Sequence, residues 1–323
     1  MDIPYINGVI AVREKYLLKD KIRKLCGSTL DEALKVLAEH GFGGAEAQGD
    51  AEAMITAENR ATDEFIREYA PTAAERAYFL TARDFHNAKA LVKAAYLDTD
   101  VEKLLAPEGE IPVKTLAACV QSGDYSALYP ELQETLTEAK SLFKDENGEA
   151  VEVSGAALGA VFERGLYKRL FAACKRNSTL KRAVVERVDM TNILTYLRAA
   201  DQEDADRFFL AGGKIAKDKL DELLLANEET GADVLDGTPY QAFYRDALKA
   251  KLTGKPFTES ERVLQSADAA FLSARRYELK NTQPFTYYIL RRRAECANVR
   301  ILLVGLAAGM SEDEIKKRLR TVD

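Results

Sequence analysis

Apolar residues recur along this chain at helical spacing, and the same arrangement returns three times. Positions three and four residues apart share one face of a helix. Five sets of apolar residues align without a gap: Phe79, Val184 and Leu290; Phe85, Met190 and Cys296; Ala88, Ile193 and Val299; Leu91, Tyr196 and Leu302; and Val92, Leu197 and Leu303. Each copy is therefore predicted to contain a helix that buries one face.

Each of these helices carries the motif acid-x-x-Asn beside its apolar face. The pairs are Asp84 with Asn87, Asp189 with Asn192, and Glu295 with Asn298. Residues three apart are neighbours on a helix surface, so the acid and the amide of each pair lie together. The pair recurs in equivalent places and one copy has Glu instead of Asp. We therefore interpret it as a structural hydrogen-bond clasp between helices or domains, in preference to a catalytic pair.

Signals for helix ends are frequent along the chain. Capping boxes, in which Ser or Thr is followed three residues later by Glu, predict helix starts. They are Thr29 with Glu32, Thr72 with Glu75, Thr258 with Glu261, and Ser311 with Glu314. Glycines that follow apolar runs predict helix ends at positions 41, 148, 212–213 and 309. Because strand-like alternation is almost absent, the sequence predicts an all-α fold.

The three copies share an order of elements that predicts three domains. A short helix, predicted over 29–40, 112–122 and 217–227, opens each third, and the helix with the motif lies near its end. The asparagines are 105 and 106 residues apart, a period too long for an ordinary solenoid repeat. Turn-rich stretches separate the copies. The predicted domains are residues 1–107, 108–212 and 213–323.

Composition and charge narrow the classes of protein. Hydrophobic residues make up 47% and charged residues 30% of 323, which is typical of a folded chain with a sizeable core. The net charge of −6 and the lack of a basic tail argue against nucleic acid as a partner. The longest apolar run, 301–310, is too short to cross a bilayer, and the start lacks the pattern of a signal peptide. Work at a membrane would then proceed through another protein.

Cysteine and histidine usage predicts no catalytic or metal site. Four single cysteines, at positions 26, 119, 174 and 296, form no CxxC pair and are expected to be reduced core residues of a cytosolic protein. The two histidines, His40 and His86, are far apart, whereas zinc requires three or four convergent ligands. We expect His40 at a helix end and His86 on a helix surface.

Two further clusters are predicted to be structural. The glycines at 41, 43 and 44 follow a helix, whereas a phosphate-binding loop follows a strand and opens a helix. The acidic run 201–206 suggests the magnesium-binding helix of class I terpenoid synthases, but no second metal motif accompanies it. We interpret the run as a solvated helix end. The sequence thus predicts neither a cofactor nor a metal.

Arginines precede and follow the third motif. Arg291, Arg292 and Arg293 cannot share one helix face, so at least one is expected to point outward, and Arg300 follows Asn298 by two positions. A solvated face is one interpretation of these residues. Docking of an acidic partner surface is the other.

Three stretches carry a resemblance to a known family. The first is Tyr5-x-x-Gly8-x-x-x-x-Arg13 followed by Lys15-Tyr16-Leu17-Leu18, and the second is LDEALKVL at 30–37 with Phe42-Gly43 after it. The third and most specific is Tyr288-Ile289-Leu290-x-x-x-x-Glu295-x-x-Asn298-Val299-Arg300, continuing through Gly309-Met310-Ser311-x-x-x-Ile315. Over essentially its whole length the chain resembles the C subunits of bacterial and archaeal V/A-type ATP synthases, which are equivalent to the d subunit of the vacuolar ATPase.

The resemblance implies three similar helical bundles around a pseudo-threefold axis, which form a funnel with a central cavity. Polar and small residues from all three copies are expected to line that cavity. It further implies a noncatalytic rotor subunit, a socket between the central stalk and the membrane ring of proteolipid subunits. Such a protein is cytoplasmic and peripheral to the membrane. Whether the coupled ion is a proton or sodium stays open.

Two other classes of function remain as alternatives. One is a cytosolic all-α scaffold or adaptor, unrelated to any rotor, that binds partners in a concave face. The other is a metal-dependent all-α lyase or synthase, for which the acidic run 201–206 is the only sign.

Overall fold

The computed structural model is all-α, as the sequence predicts. It describes the chain except residues 1, 19, 46, 48, 98–100, 146, 228–229, 232, 274–280 and 321–323, and the side chains of residues 102, 271 and 272. The helices are α1 (Ile3–Arg13), α2 (Lys21–Leu25), α3 (Leu30–Glu39), α4 (Ala51–Tyr69), α5 (Ala73–Leu97), α6 (Val113–Ser122), α7 (Pro130–Leu142), α8 (Gly155–Ala173), α9 (Ser178–Arg198), α10 (Gln202–Phe208), α11 (Lys217–Leu224), α12 (Gln241–Leu252), α13 (Thr258–Ser273), α14 (Gln283–Ala307) and α15 (Glu312–Arg318). Within those described residues, β pairing is limited to one isolated bridge, Lys144 with Ala150.

Local sequence determines several of the helix starts. At Thr29 the hydroxyl accepts from the Glu32 N–H (3.3 Å) and the Glu32 carboxylate accepts from the Thr29 N–H (2.9 Å), so the predicted capping box is present. Ser311 begins α15 in the same way. The box predicted at Thr258 is wrong, because α13 already includes Thr258 and the Glu261 carboxylate pairs with Arg198 at 2.6 Å.

Glycines end two helices with the left-handed backbone that only they adopt without strain. Gly41 (φ +76°) follows α3 and Gly309 (φ +67°) follows α14, both as predicted. In each case the N–H of the glycine and the N–H of the residue after it donate to carbonyls in the last turn of the helix, as in a Schellman motif. Gly148 does not end a helix. It lies in the turn between Lys144 and Ala150, after α7 has ended at Leu142.

The chain divides into two compact units. The terminal unit comprises residues 1–72 and 265–323, and the central unit comprises residues 73–264. The predicted domain boundaries at 107 and 212 both fall inside the central unit. Three domains therefore stay a prediction.

Helix α14 organises the terminal unit, where it packs against α1, α2, α3, α4 and α15. The core combines residues from the two ends of the chain. From the first segment it takes Leu18, Ile22, Cys26, Leu37 and Met54, and from the second Val299, Leu302, Leu303 and Ile315. The two ends of the chain therefore pack together around one core.

Two motif helices organise the central unit. Helix α5 packs against α6, α7 and α8, and helix α9 packs against α8, α10, α11 and α12. The core beside α5 includes Phe85, Val92, Leu116, Leu136 and Phe162.

All four cysteines are free and buried, as predicted from their spacing. Burial raises the pKa of Cys174 and Cys296 to about 12, so both thiols stay protonated at neutral pH. Among the described helices, none has both the length and the apolarity that a bilayer crossing requires.

Candidate functional site

The three acid-x-x-Asn pairs are buried. They lie on α5, α9 and α14, and every one of the six side chains has a relative exposure of 9% or less. Of the fifteen aligned apolar residues, Leu91 and Leu290 are half-buried and the others are buried. A buried polar side chain is costly unless it is hydrogen-bonded, so the partners of each pair show what the motif does.

Each asparagine makes the same reciprocal pair of hydrogen bonds with the main chain of one residue further along. The residues are Ala106 for Asn87, Leu210 for Asn192 and Arg320 for Asn298. In every case Nδ2 donates to the carbonyl oxygen and Oδ1 accepts from the N–H, at 2.8–3.2 Å. An amide suits this role because it carries one donor and one acceptor side by side. Each asparagine thus fastens its helix to a connecting segment.

The aspartates hold the chain just beyond that point. Asp84 accepts from the N–H groups of Glu110 and Ile111, both at 3.1 Å. Asp189 accepts in the same way from the N–H groups of Lys214, at 2.8 Å, and Ile215, at 3.0 Å. Each aspartate therefore joins its helix to the main chain just before the next short helix, α6 or α11. A clasp between helices or domains stays a prediction.

A tyrosine hydroxyl completes each of these two sites. Tyr129 donates to Asp84 at 3.3 Å and Tyr240 donates to Asp189 at 2.7 Å. Tyr129 precedes α7 and Tyr240 precedes α12, so the two rings occupy matching places in the order of elements. Sequence reasoning missed both. The signal that could have found them is a Tyr next to Pro at the start of the helix that follows each short helix, α6 or α11.

Glycine is required where the clasped main chain passes the carboxylate. A Cβ built on Gly109 would collide with Asp84, and one on Gly213 would collide with Asp189. We expect Gly109→Ala and Gly213→Ala each to lower the free energy of unfolding by about 1–3 kcal/mol, because the carboxylate must move off its N–H donors. Urea denaturation checks this.

Gly159 supplies the matched control for these two variants. It lies inside α8 and a Cβ built on it meets nothing within 4 Å. Gly159→Ala is expected to leave stability unchanged or to raise it by about 0.5–1 kcal/mol. Equal effects at all three glycines would contradict the role assigned to Gly109 and Gly213.

The third acid reaches the opposite end of the sequence. Glu295 accepts from the N–H of Leu18, which precedes α2, although 277 residues separate the two in sequence. Its side chain is one methylene longer than Asp and no glycine stands next to Leu18. We infer that the longer acid replaces the close approach that Gly109 and Gly213 allow in the other two copies.

A buried ion cluster surrounds Glu295. Arg292 donates to both Glu295 and Glu58, and the other oxygen of Glu58 accepts from the N–H of Gly43 at 2.8 Å. The Arg292 side chain is only 14% exposed. Burial raises the pKa of the Glu295 carboxyl, and the charge of Arg292 opposes that rise. The cluster joins α14, α4 and the glycine turn after α3.

The arginines predicted to dock a partner all have contacts within the terminal unit. Arg293 lies 3.6 Å from Asp63, and the guanidinium of Arg291 lies 5.7 Å from the centre of the Tyr287 ring. Arg300 pairs with Glu52 at 2.9 Å and its side chain is 51% exposed. Arg292 bonds Glu295 and Glu58 in the buried ion cluster. Docking by these arginines stays a prediction, and Arg300 is the most exposed of the four.

The remaining candidates of the sequence have structural surroundings. His40 follows the last residue of α3, and His86 is exposed and bonds the carbonyl of Leu104 at 2.9 Å. Asp201 caps α10, and Asp206 pairs with Lys217 at 2.8 Å. In the described part of the chain, no three His, Cys, Asp or Glu side chains converge as metal ligands would.

The buried acid of α5 should make stability depend on pH. Burial raises the pKa of Asp84 to about 6, although the N–H groups of Ile111 and Glu110 oppose the rise. An unfolded Asp titrates near pH 3.9, so the stability linked to Asp84 is fully present below about pH 4 and is lost as pH rises through about 6. We expect Asp84→Asn to remove roughly 1 kcal/mol of the stability difference between about pH 5 and about pH 7.5. Urea denaturation of both proteins at the two pH values measures this, and an unchanged pH dependence would contradict it.

Comparisons with known proteins find a likeness that extends over all three motif helices. The ATP synthase (C/AC39) subunit family matches residues 6–318, which include all three motifs. The C subunit of the A-type ATP synthase from Halorubrum lacusprofundi is 24% identical over 263 residues, which cover 75% of this chain and 72% of that protein. Because the family match covers nearly the whole chain, this protein belongs to the ATP synthase (C/AC39) subunit family.

Proposed function

We propose that this chain is the noncatalytic central-rotor subunit of a V/A-type rotary ATPase or ATP synthase, and that it couples the central stalk to the membrane rotor ring. The observation that carries the proposal is the family match over residues 6–318. The Halorubrum relative is named as the C subunit of an A-type ATP synthase, which supports the same role. In this role the protein acts as a socket, bound to the cytoplasmic face of the membrane through the complex.

The clasps suit a part that transmits torque. Such a part must resist deformation, and fully hydrogen-bonded buried polar groups fix the relative position of the elements that they join. Each motif helix is tied to connecting segments through both its acid and its amide. The proposal includes three similar bundles around a pseudo-threefold axis, arranged as a funnel, with one motif helix in each bundle.

Proposed partners are the central-stalk subunits and the proteolipid ring, with a proton or sodium as the transported ion. The family match favours this role over an unrelated cytosolic scaffold, which would share no family with a rotary ATPase. The scaffold alternative has no observation of its own in its favour.

A bridging experiment tests the proposal. Detergent-solubilised rotor ring is immobilised, and purified central-stalk subunits of the same organism are added with and without this chain. The expected result is that the ring retains the stalk subunits only when the chain is present. Retention of the stalk without the chain, or failure of the chain to bind either partner, would overturn the proposed role.

A further inference from the structure

The first helix of the terminal unit exposes an apolar face. Tyr5 is 58% exposed and Val12 is 55% exposed, and Tyr16, in the turn after the helix, is 72% exposed. Tyr5, Gly8 and Val12 are spaced by three and four residues, so they share one side of α1, and Tyr16 follows Val12 by four residues. We call these four residues the N-terminal face. A Cβ built on Gly8 meets nothing within 4 Å, which leaves its middle open to close approach.

Helix α1 is apolar on two opposite sides, and the terminal unit covers one of them. Ile6, Asn7 and Ile10 are buried, and α1 packs against α14. Arg13 is the only charged residue in the eleven of α1. A helix that is apolar all round is normally covered on every side, and large exposed aromatic residues are typical of protein interfaces. The N-terminal face therefore has the composition of a surface that another molecule covers.

A cavity of about 420 Å³ lies beside this face, because Tyr16 belongs to the face and also lines the cavity, as does Arg13. Its wall includes the aromatic rings of Phe65 and Tyr288 and the paired side chains of Arg292 and Glu58. The volume lies within the range of sites that take a small ligand or a few side chains. The exposed face is thus continuous with a recess that can accept an anchoring side chain.

The charge of this region is opposite to that of the chain as a whole. Residues 13–24 contain six basic and two acidic residues, whereas the whole chain has a net charge of −6. Arg13 lines the cavity, and its guanidinium lies 4.4 Å from the centre of the Phe65 ring. Arg13 has no ion-pair partner in the part of the chain that the structure describes. An incoming carboxylate would therefore meet an uncompensated cation.

We propose that the N-terminal face and its cavity form the docking site for an acidic, amphipathic segment of another subunit of the complex. An apolar side chain of that segment enters the cavity, and a carboxylate beside it pairs with Arg13. Opposite charges across an interface raise the association rate and select the partner, while the buried anchor supplies affinity. The inference rests on the proposed function for the presence of neighbouring subunits, and adds which surface receives one of them.

Photo-crosslinking in the assembled ATP synthase tests the site. A benzophenone amino acid replaces Tyr16 in one variant and Leu225, an equally exposed apolar residue of the central unit, in a control. The expected product at position 16 joins this chain to a peptide of another subunit in which Asp and Glu outnumber Lys and Arg. No product, or a product with lipid, with a second copy of this chain or with a basic peptide, would overturn the inference.

Binding of charge-reversed variants provides an independent readout. Arg13→Glu is expected to weaken binding of the crosslinked subunit at least about tenfold, and more strongly at low than at high salt. Arg176→Glu, which reverses an exposed arginine of the central unit, is the control and should change the affinity less than about twofold. If the chain bridges stalk and ring but Arg13→Glu binds normally, the docking site is wrong and the proposed function stands. If the unmodified chain bridges nothing, the proposed function itself fails.

Discussion

Asn192→Ala is expected to lower the free energy of unfolding by about 3 kcal/mol, because it leaves a buried N–H and a buried carbonyl without partners. Both groups belong to Leu210, which is buried and bonds Asn192 at 2.8 Å and 2.9 Å. Asn192→Gln should lose most of the same stability, since one more methylene moves the amide away from the main chain. Equilibrium urea denaturation followed by circular dichroism gives the values.

Asn147→Ala is the control for this experiment. Asn147 is exposed, in the turn after α7, and the change is expected to stay within about 0.5 kcal/mol. A loss of less than about 1 kcal/mol for Asn192→Ala would mean that the clasp is not what holds the segment around Leu210. Smaller losses are expected for Asn87→Ala and Asn298→Ala, because the partners that they leave unpaired, Ala106 and Arg320, are half-buried and exposed and can bond water instead.

Arg292→Met is expected to lower stability by about 3–5 kcal/mol, because it leaves two buried carboxylates, Glu58 and Glu295, without their cation. The loss should be smaller at low pH. Without Arg292 the pKa of the Glu295 carboxyl rises further in the folded protein, so protonation relieves the cost as pH falls and the cost returns as pH rises. Urea denaturation of the variant and the unmodified protein, at low and at neutral pH, measures both effects.

Arg300→Met is a matched control, since it makes the same change on the same helix. Arg300 pairs with Glu52, and both side chains are more than half exposed, so the expected loss is about 1 kcal/mol or less. Equal losses at the two positions would show that α14 tolerates no methionine there, and would remove the ion cluster as the cause.

The sequence predicts the helical class and much of the local structure because these depend on neighbours in the chain. The boxes at Thr29 and Ser311 and the glycine ends at Gly41 and Gly309 are set within a few residues, and each is found at the predicted position. The box at Thr258 is absent because α13 already includes Thr258, and the Glu261 carboxylate pairs with Arg198, which is distant in sequence. A contact with a residue so distant in sequence cannot be predicted from the residues next to Thr258.

The role of the repeated motif is only partly readable from the sequence. Spacing indicates a buried pair, but the loops that Asp84 and Asp189 hold become apparent only in the fold. Glu295 is the extreme case, because its main-chain partner is Leu18, at the other end of the sequence. Likewise, none of the sequence neighbours of Arg292 indicates that it binds Glu58, which lies 234 residues away in the sequence. Contacts between residues so distant in sequence do not appear in the spacing of residues along the chain.

Cryo-electron microscopy of the assembled ATP synthase in its rotary states gives the decisive test of the proposed rotor role. We expect one copy of this chain on the rotation axis, between the central stalk and the membrane ring, where it turns with the rotor. The helices that carry Asn87, Asn192 and Asn298 should be related by a threefold rotation. A copy at the periphery that stays with the stator, or motif helices that do not superpose under that rotation, would contradict it.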